Sequence, residues 1–224
     1  PKIQMAECLW ATGPIKIDGN ATEPAWSGAT VFEDYHLAWL GEKDRPAKTK
    51  TRTRLLWDSE YLYFTAEMED TDLFADVTRQ DDDTWNNDVW ELFLKPAGDK
   101  GYYEFHVNAA NTKFDIFLPH RGGWLVKRLR RAHTFHIESK VTLKGTLNDL
   151  TDRDKGWTVE GRIPWSDLRM TGGAPKAGDE WNLSLCRYDY SVGSERPELS
   201  SITPYKRPDF HRHEDFLPIR FGGK

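Results

Sequence analysis

Apolar side chains recur at every second position through much of this chain, the period of a strand with one buried face. Thr51–Trp57 sets Thr53, Leu55 and Trp57 on one side, and Tyr61–Glu69 does the same with Leu62, Phe64, Ala66 and Met68. Asp58-Ser59-Glu60 between them reads as a turn, so the two runs predict a hairpin. A second hairpin is predicted from Val89–Lys95 and Tyr102–Asn108, joined by the turn-forming run Pro96-Ala97-Gly98-Asp99-Lys100-Gly101. Trp90, Leu92 and Leu94 face the core with Tyr103, Phe105 and Val107. Further strands are read over residues 113–118, 135–143, 157–163, 181–190 and 216–221. Upstream, the pattern predicts an edge strand within residues 1–14 and a short strand over 14–20. A single helical turn follows, with Thr22 as N-cap and Pro24 early in the turn, anchoring Trp26 in the core. Residues 73–77 are read as a short helix, 164–168 as a helical turn, and 193–215 as irregular. With roughly ten short strands and no long amphipathic helix, the chain is expected to be all-β: an antiparallel β-sandwich formed as one domain over residues 1–224.

The second hairpin also has an unusual outer face. A symmetric closure pairs Glu91 with His106, Val89 with Asn108 and Phe93 with Glu104. Glu91, Glu104, His106 and Asn108 then share one sheet face. A solvated face has this composition, and so does a binding face. Trp85, in the polar run just before the strand, favours the second reading. A flat apolar ring beside directional polar groups suits a sugar, with CH faces to stack and hydroxyls to hydrogen-bond.

Composition narrows the choices. Aromatic residues make up 13% of the 224 residues, with ten Trp, more than packing alone usually requires. The formal net charge of -5 argues against a nucleic-acid partner. No apolar run approaches the ~18 residues of a membrane span. Cys8 and Cys186 form either one long-range disulfide or two buried thiols. No signal peptide is visible, but the first residue is Pro1 rather than Met, which reads as a processed or excised piece.

The chain resembles the family 9 carbohydrate-binding modules. The resemblance is carried by Pro14-Ile15-Lys16-Ile17-Asp18-Gly19 with Trp26, and by Leu56-Trp57-Asp58-x-x-Tyr61-Leu62-Tyr63. It continues through Trp85-x-x-Asp88-x-x-Glu91-x-Phe93, Phe105-x-Val107-Asn108, Gly156-Trp157-x-Val159-Glu160 with Ile163-x-Trp165, and the segment from Phe210 to Phe216. It implies a β-sandwich jelly roll with bound calcium, and a terminal one- or two-sugar unit of a glycan held between two aromatic rings. By position those rings are Trp85 and Phe210, with Glu91, His106 and Asn108 hydrogen-bonding the sugar. The second ring is usually Trp, the position of His106 is often Arg, and Arg207 stands where a small amide is expected. These departures leave open which end of a glycan is read. The resemblance further implies a non-catalytic oligosaccharide or polysaccharide binder. It would be secreted, periplasmic or extracellular, either alone or beside catalytic domains of a parent chain.

Other signals are weaker. Asp81-Asp82-Asp83, Asp70-x-Asp72 and Asp18 are candidate calcium ligands, the competing reading being solvated loop acids. Trp124, in Arg121-Gly122-Gly123-Trp124, would extend the binding surface. The basic run Lys127-Arg128-x-Arg130-Arg131 reads as a solvated edge or as a contact for an acidic glycan. His211-Arg212-His213 and His133 with His136 have metal-like spacing but no completing ligand. Two alternatives remain: a glycan-active enzyme using Glu91 and Glu104, and a haem-holding sandwich, for which Met5, Met68 and Met170 offer no convincing axial ligand.

Overall fold

The computed structural model describes residues 5–98, 101–126 and 128–224. Asp99 and Lys100 of the expected hairpin turn, Lys127 of the basic run and the side chain of Trp124 lie outside the described residues. Twelve strands are formed among the described residues: β1 (Ala6–Trp10), β2 (Val31–Phe32), β3 (Thr51–Trp57), β4 (Tyr61–Glu69), β5 (Val89–Lys95), β6 (Tyr102–Asn108), β7 (Lys113–Leu118), β8 (Glu138–Lys144), β9 (Gly156–Pro164), β10 (Glu180–Asp189), β11 (Glu198–Ser201) and β12 (Leu217–Phe221). One sheet runs β7-β6-β5-β10-β12-β1, with β11 beside the end of β10. The other runs β1-β3-β4-β9-β8, with β2 beside β3.

The two sheets share β1. Ala6 to Cys8 pair in parallel with Ile219 to Phe221, then Leu9 and Trp10 pair with Leu56 and Trp57. A strand that changes sheets makes the corner of the sandwich. The expected edge strand is therefore an internal joint. Between the sheets lies the main core, where Trp90 and Leu92 of β5 meet Leu55 of β3, Phe64 of β4 and Trp157 of β9. The Phe64 and Trp90 rings stack at 4.9 Å and 21°. Trp57, Trp90, Trp157 and Trp181 on the strands and Trp26 and Trp165 in 3-10 turns are all buried.

Two local expectations fail for one reason: side chains take the backbone N–H groups. Residues 14–20 form no strand, because buried Glu160 accepts from the N–H groups of Asp18 (3.0 Å) and Gly19 (2.9 Å), and also from the Trp26 indole (3.1 Å). Gly19 has φ +92°, and a Cβ there would lie 2.8 Å from Thr142 Oγ1. Residues 73–77 form no helix. Leu73, Phe74, Ala75 and Val77 donate instead to Asp154, Asp88, Asn148 and Asn87. The turn holding Trp26 is a 3-10 turn, Pro24–Gly28, capped at Glu23 rather than Thr22 and without a side-chain cap bond.

The largest difference concerns the outer face of the first sheet. It is not solvated. Phe93, Tyr102, Phe114 and Ile116 form a second buried cluster there with Tyr205, Phe210 and Phe216. The segment read from sequence as irregular, 193–215, supplies Tyr205 and Phe210, and Phe216 follows directly before β12.

Candidate functional site

The β5–β6 register is the predicted one: Glu91 opposes His106, Val89 opposes Asn108 and Phe93 opposes Glu104. Trp85 sits in the 3-10 turn Thr84–Asn86 that leads into β5. Trp85, Glu91, Phe93, Glu104 and His106, together with the segment carrying Phe210, line a cavity of about 300 Å³ on the outer face of the sheet. Trp85, Phe93, Tyr188 and Phe210 give it apolar walls, and Glu91, Glu104 and His106 a polar floor.

Each wall is braced. The Arg130 guanidinium lies 5.2 Å from the Trp85 ring centre, and Phe114 lies 5.4 Å away. Tyr190 donates to the Trp85 carbonyl at 2.8 Å. Phe210 packs against Tyr188 (5.6 Å), Tyr205 (5.5 Å) and Trp39 (6.2 Å), and its carbonyl accepts from the Tyr205 hydroxyl at 3.0 Å.

The floor is a buried ionic set. His106 is 1% exposed, Glu91 2% and Glu104 4%. His106 Nε2 lies 2.8 Å from Glu104 and 3.4 Å from Glu91, while Nδ1 engages the Thr84 hydroxyl at 2.9 Å. Burial pushes Glu91 up to about 7 against the pull of His106. Burial also raises Glu104, but His211, His106 and Arg130 outweigh it and hold this carboxyl below its ordinary range. Burial lowers His106, and the two carboxylates more than reverse that. Both carboxylates therefore approach one imidazole from the same sheet. A glycosidase instead needs them flanking the scissile bond from two sides.

Of the residues chosen from sequence, Trp85, Glu91, His106 and Phe210 line the cavity. Asn108 does not. Its amide donates to the Val77 carbonyl (2.8 Å) and to Asn87 (3.0 Å), and its oxygen accepts from Ala110 (3.1 Å) and Thr112 (2.7 Å). Every hydrogen-bonding position it has is committed to the β6–β7 turn and its surroundings. Arg207 is exposed and lies outside the lining. Tyr188 and Asp209 were not foreseen, His211 was noted only for metal-like spacing, and Glu104, placed on the shared polar face, was not among the residues chosen as sugar contacts. Tyr188 was legible by strand parity, since Leu183 and Leu185 mark the inner face of β10. Asp209 and His211 carry no such signal.

The candidate calcium ligands separate. Asp70 gathers with Asp88 and Asp189, one ligand atom from each within 4.8 Å of the others. Arg187, fully buried, approaches Asp70 at 3.2 Å and Asp189 at 3.5 Å. Asp88 accepts from Phe74 (2.6 Å) and Tyr190 (2.7 Å). Burial pushes Asp88 up to about 9, helped by the charge of Asp70. Asp18, Asp72 and Asp81 are not in this group. Asp18 pairs with Lys16 at 3.6 Å, Asp72 accepts from Ser191 and Thr71, and Asp81 sits beside Asp115. Cys8 and Cys186 are free, buried thiols in different clusters. Met68 is sealed in the core and Met170 packs against it, so neither is presented as an axial ligand.

The family model for the carbohydrate family 9 binding domain-like proteins matches residues 17–215. The chain belongs to that family. Family 9 domains are carbohydrate-binding modules rather than catalysts, which sets aside the enzyme reading. Endo-1,4-beta-xylanase A of Thermotoga maritima is 29% identical over 182 residues, a match covering 74% of this chain and 16% of the xylanase. A family 9 module from Caldicellulosiruptor kristjanssonii, in complex with cellotriose, superposes with a TM-score of 0.65 at 17% identity over 99% of this chain and 95% of that one. The same kind of module from that organism, in complex with glucose, gives 0.65 at 18% identity over 97% and 96%. The jelly-roll sandwich is thus shared in full, although few residues are.

Proposed function

We propose that this domain holds a terminal mono- or disaccharide unit of a glycan in the cavity between Trp85 and Phe210, over the floor formed by Glu91 and His106. The observation that carries this is the combination of aromatic walls with a buried carboxylate–imidazole floor in one cavity of about 300 Å³. A pyranose needs ring faces to cover its CH groups and charged acceptors for its hydroxyls. Covering roughly 100 Å² of sugar face per ring at about 25 cal/mol/Å² gives about 2.5 kcal/mol a side. Ordering costs reduce the sum, so affinity in the micromolar to millimolar range is expected.

Cellotriose and glucose in the related modules make a β-glucan end the first ligand to test, and the xylanase match supports a multi-domain parent chain that degrades polysaccharide. Calcium, which the family resemblance implies, fits Asp70, Asp88 and Asp189. Asp70 and Asp189 share the Arg187 guanidinium there while Asp88 accepts from the backbone N–H groups of Phe74 and Tyr190, and a hard divalent cation takes several such oxygens. When bound, calcium would neutralise that cluster and tie β4, β5 and β10 together beneath the Trp85 turn.

Titration calorimetry against cello-, xylo- and manno-oligosaccharides tests the reading. Binding of at least one series is expected, and no heat from any of them would remove it. Repeating the titration with borohydride-reduced sugars determines whether the reducing end is read.

A further inference from the structure

Glu104 stands out within the cavity wall. Its Oε1 accepts from His106 at 2.8 Å, but its Oε2 is buried without a hydrogen-bond partner. No other cavity-lining side chain has such an atom among the described residues. His106 cannot supply the missing donor, because Nε2 serves the two carboxylates and Nδ1 serves Thr84. An unpartnered buried carboxylate oxygen is costly, and a donor that reaches it gains a charge-assisted bond.

The charges around the cavity have a sign. Glu104 and Asp209, with Glu91 pushed up to about 7 by burial, face the imidazoles of His106 and His211, and among the described residues no Lys or Arg lines the cavity. Arg130, the nearest guanidinium to the Trp85 wall, is itself paired with Asp83 at 2.7 Å. A ligand bringing a hydroxyl or an amine to this wall finds an acceptor, whereas one bringing a carboxylate meets like charge in a desolvated site.

We propose that Glu104 contacts the ligand directly and sets specificity. It selects glycan ends that place a hydrogen-bond donor at its Oε2 and rejects uronic acid ends. The inference rests on the carbohydrate reading of the cavity and goes beyond it by naming the class of sugar accepted. The amide in Glu104→Gln keeps the size and can keep the bond to His106, while its NH₂ group replaces the acceptor with a donor.

The experiment titrates wild-type protein and E104Q with glucose, cellobiose, the monodeoxy glucoses and glucuronate. Wild type is expected to bind glucuronate at least about tenfold more weakly than glucose, and to lose about tenfold to a hundredfold on removal of one particular hydroxyl. E104Q is expected to lose a similar factor for glucose, to lose little more for that same deoxy sugar, and to narrow the glucose–glucuronate gap. Should E104Q fail to fold, the wild-type deoxy and glucuronate series decides alone. Glucose affinity in folded E104Q within twofold of wild type overturns the inference, as does equal wild-type affinity for glucose and glucuronate, and either result leaves the carbohydrate reading standing. A wild-type protein that binds none of these sugars, nor any oligosaccharide of the broader panel, removes both.

Discussion

Replacing Trp85 with alanine isolates the aromatic wall from the polar floor. The indole is half-buried, and its covered contacts are with Phe114, His106 and Arg130. If its exposed face covers roughly 100 Å² of sugar, truncation removes about 2.5 kcal/mol of transfer free energy. That corresponds to a loss of about 70-fold in affinity at 25 °C. Trp85→Phe keeps part of the ring area and is expected to lose about tenfold or less. Stability is affected as well, because the ring braces Arg130, but the turn is also held by the Tyr190 hydroxyl on the Trp85 carbonyl. A fall of about 1 kcal/mol or a little more is expected from the lost packing and cation–π contact. Calorimetric titration with cellobiose, alongside denaturant unfolding of the same samples, separates the two effects. A folded W85A protein that binds within threefold of wild type would falsify the placement of the sugar against this ring.

Other consequences follow from the same geometry. Asn108→Ala removes four hydrogen bonds, those to Asn87 and Thr112 fully buried, and is expected to cost about 2–4 kcal/mol in unfolding, with sugar affinity of the folded fraction within threefold of wild type; a large affinity loss without destabilisation would return Asn108 to the binding set. Glu91 is pushed up to about 7 in the fold from an ordinary 4.5, so the folded state holds a proton there that the unfolded chain releases. Its contribution is full below about 4.5 and lost as pH rises through about 7. The stability difference between wild type and Glu91→Gln should therefore move against the wild type over that window and then level off, as read by urea unfolding across pH; a constant difference would refute the assignment. Calcium should raise the melting temperature and EDTA should lower it again, with Asp88→Asn abolishing the response; an equal calcium response in Asp88→Asn would move the ion elsewhere.

The sequence by itself determined most of the strands and their faces, though not β2 or β11. Period-two alternation is a local signal, and it set β3 to β7 and the inner face of β10 without help from anything distant. Hairpin closure is nearly as local. Six residues between Val89–Lys95 and Tyr102–Asn108 were enough to oppose Glu91 to His106. Trp85 was legible as well, because an aromatic ring in a polar run has no packing explanation nearby. Only the tertiary structure decided what covers the outer face of that hairpin. Phe210 lies 125 residues beyond Trp85, in a segment with no periodicity, and its burial depends on Tyr205 of that segment and on Tyr188 and Trp39 from two other parts of the chain. Asn108 shows the same limit from the opposite side. It occupies the foreseen face and register, yet its hydrogen bonds go to a turn and to residues 77 and 87, a competition that strand parity does not record. Asp70, Asp88 and Asp189 lie on three segments that only sheet pairing brings within 4.8 Å. Local spacing therefore fixes which side of a strand a residue faces. What that side chain meets is set by long-range pairing and by competition for buried hydrogen bonds.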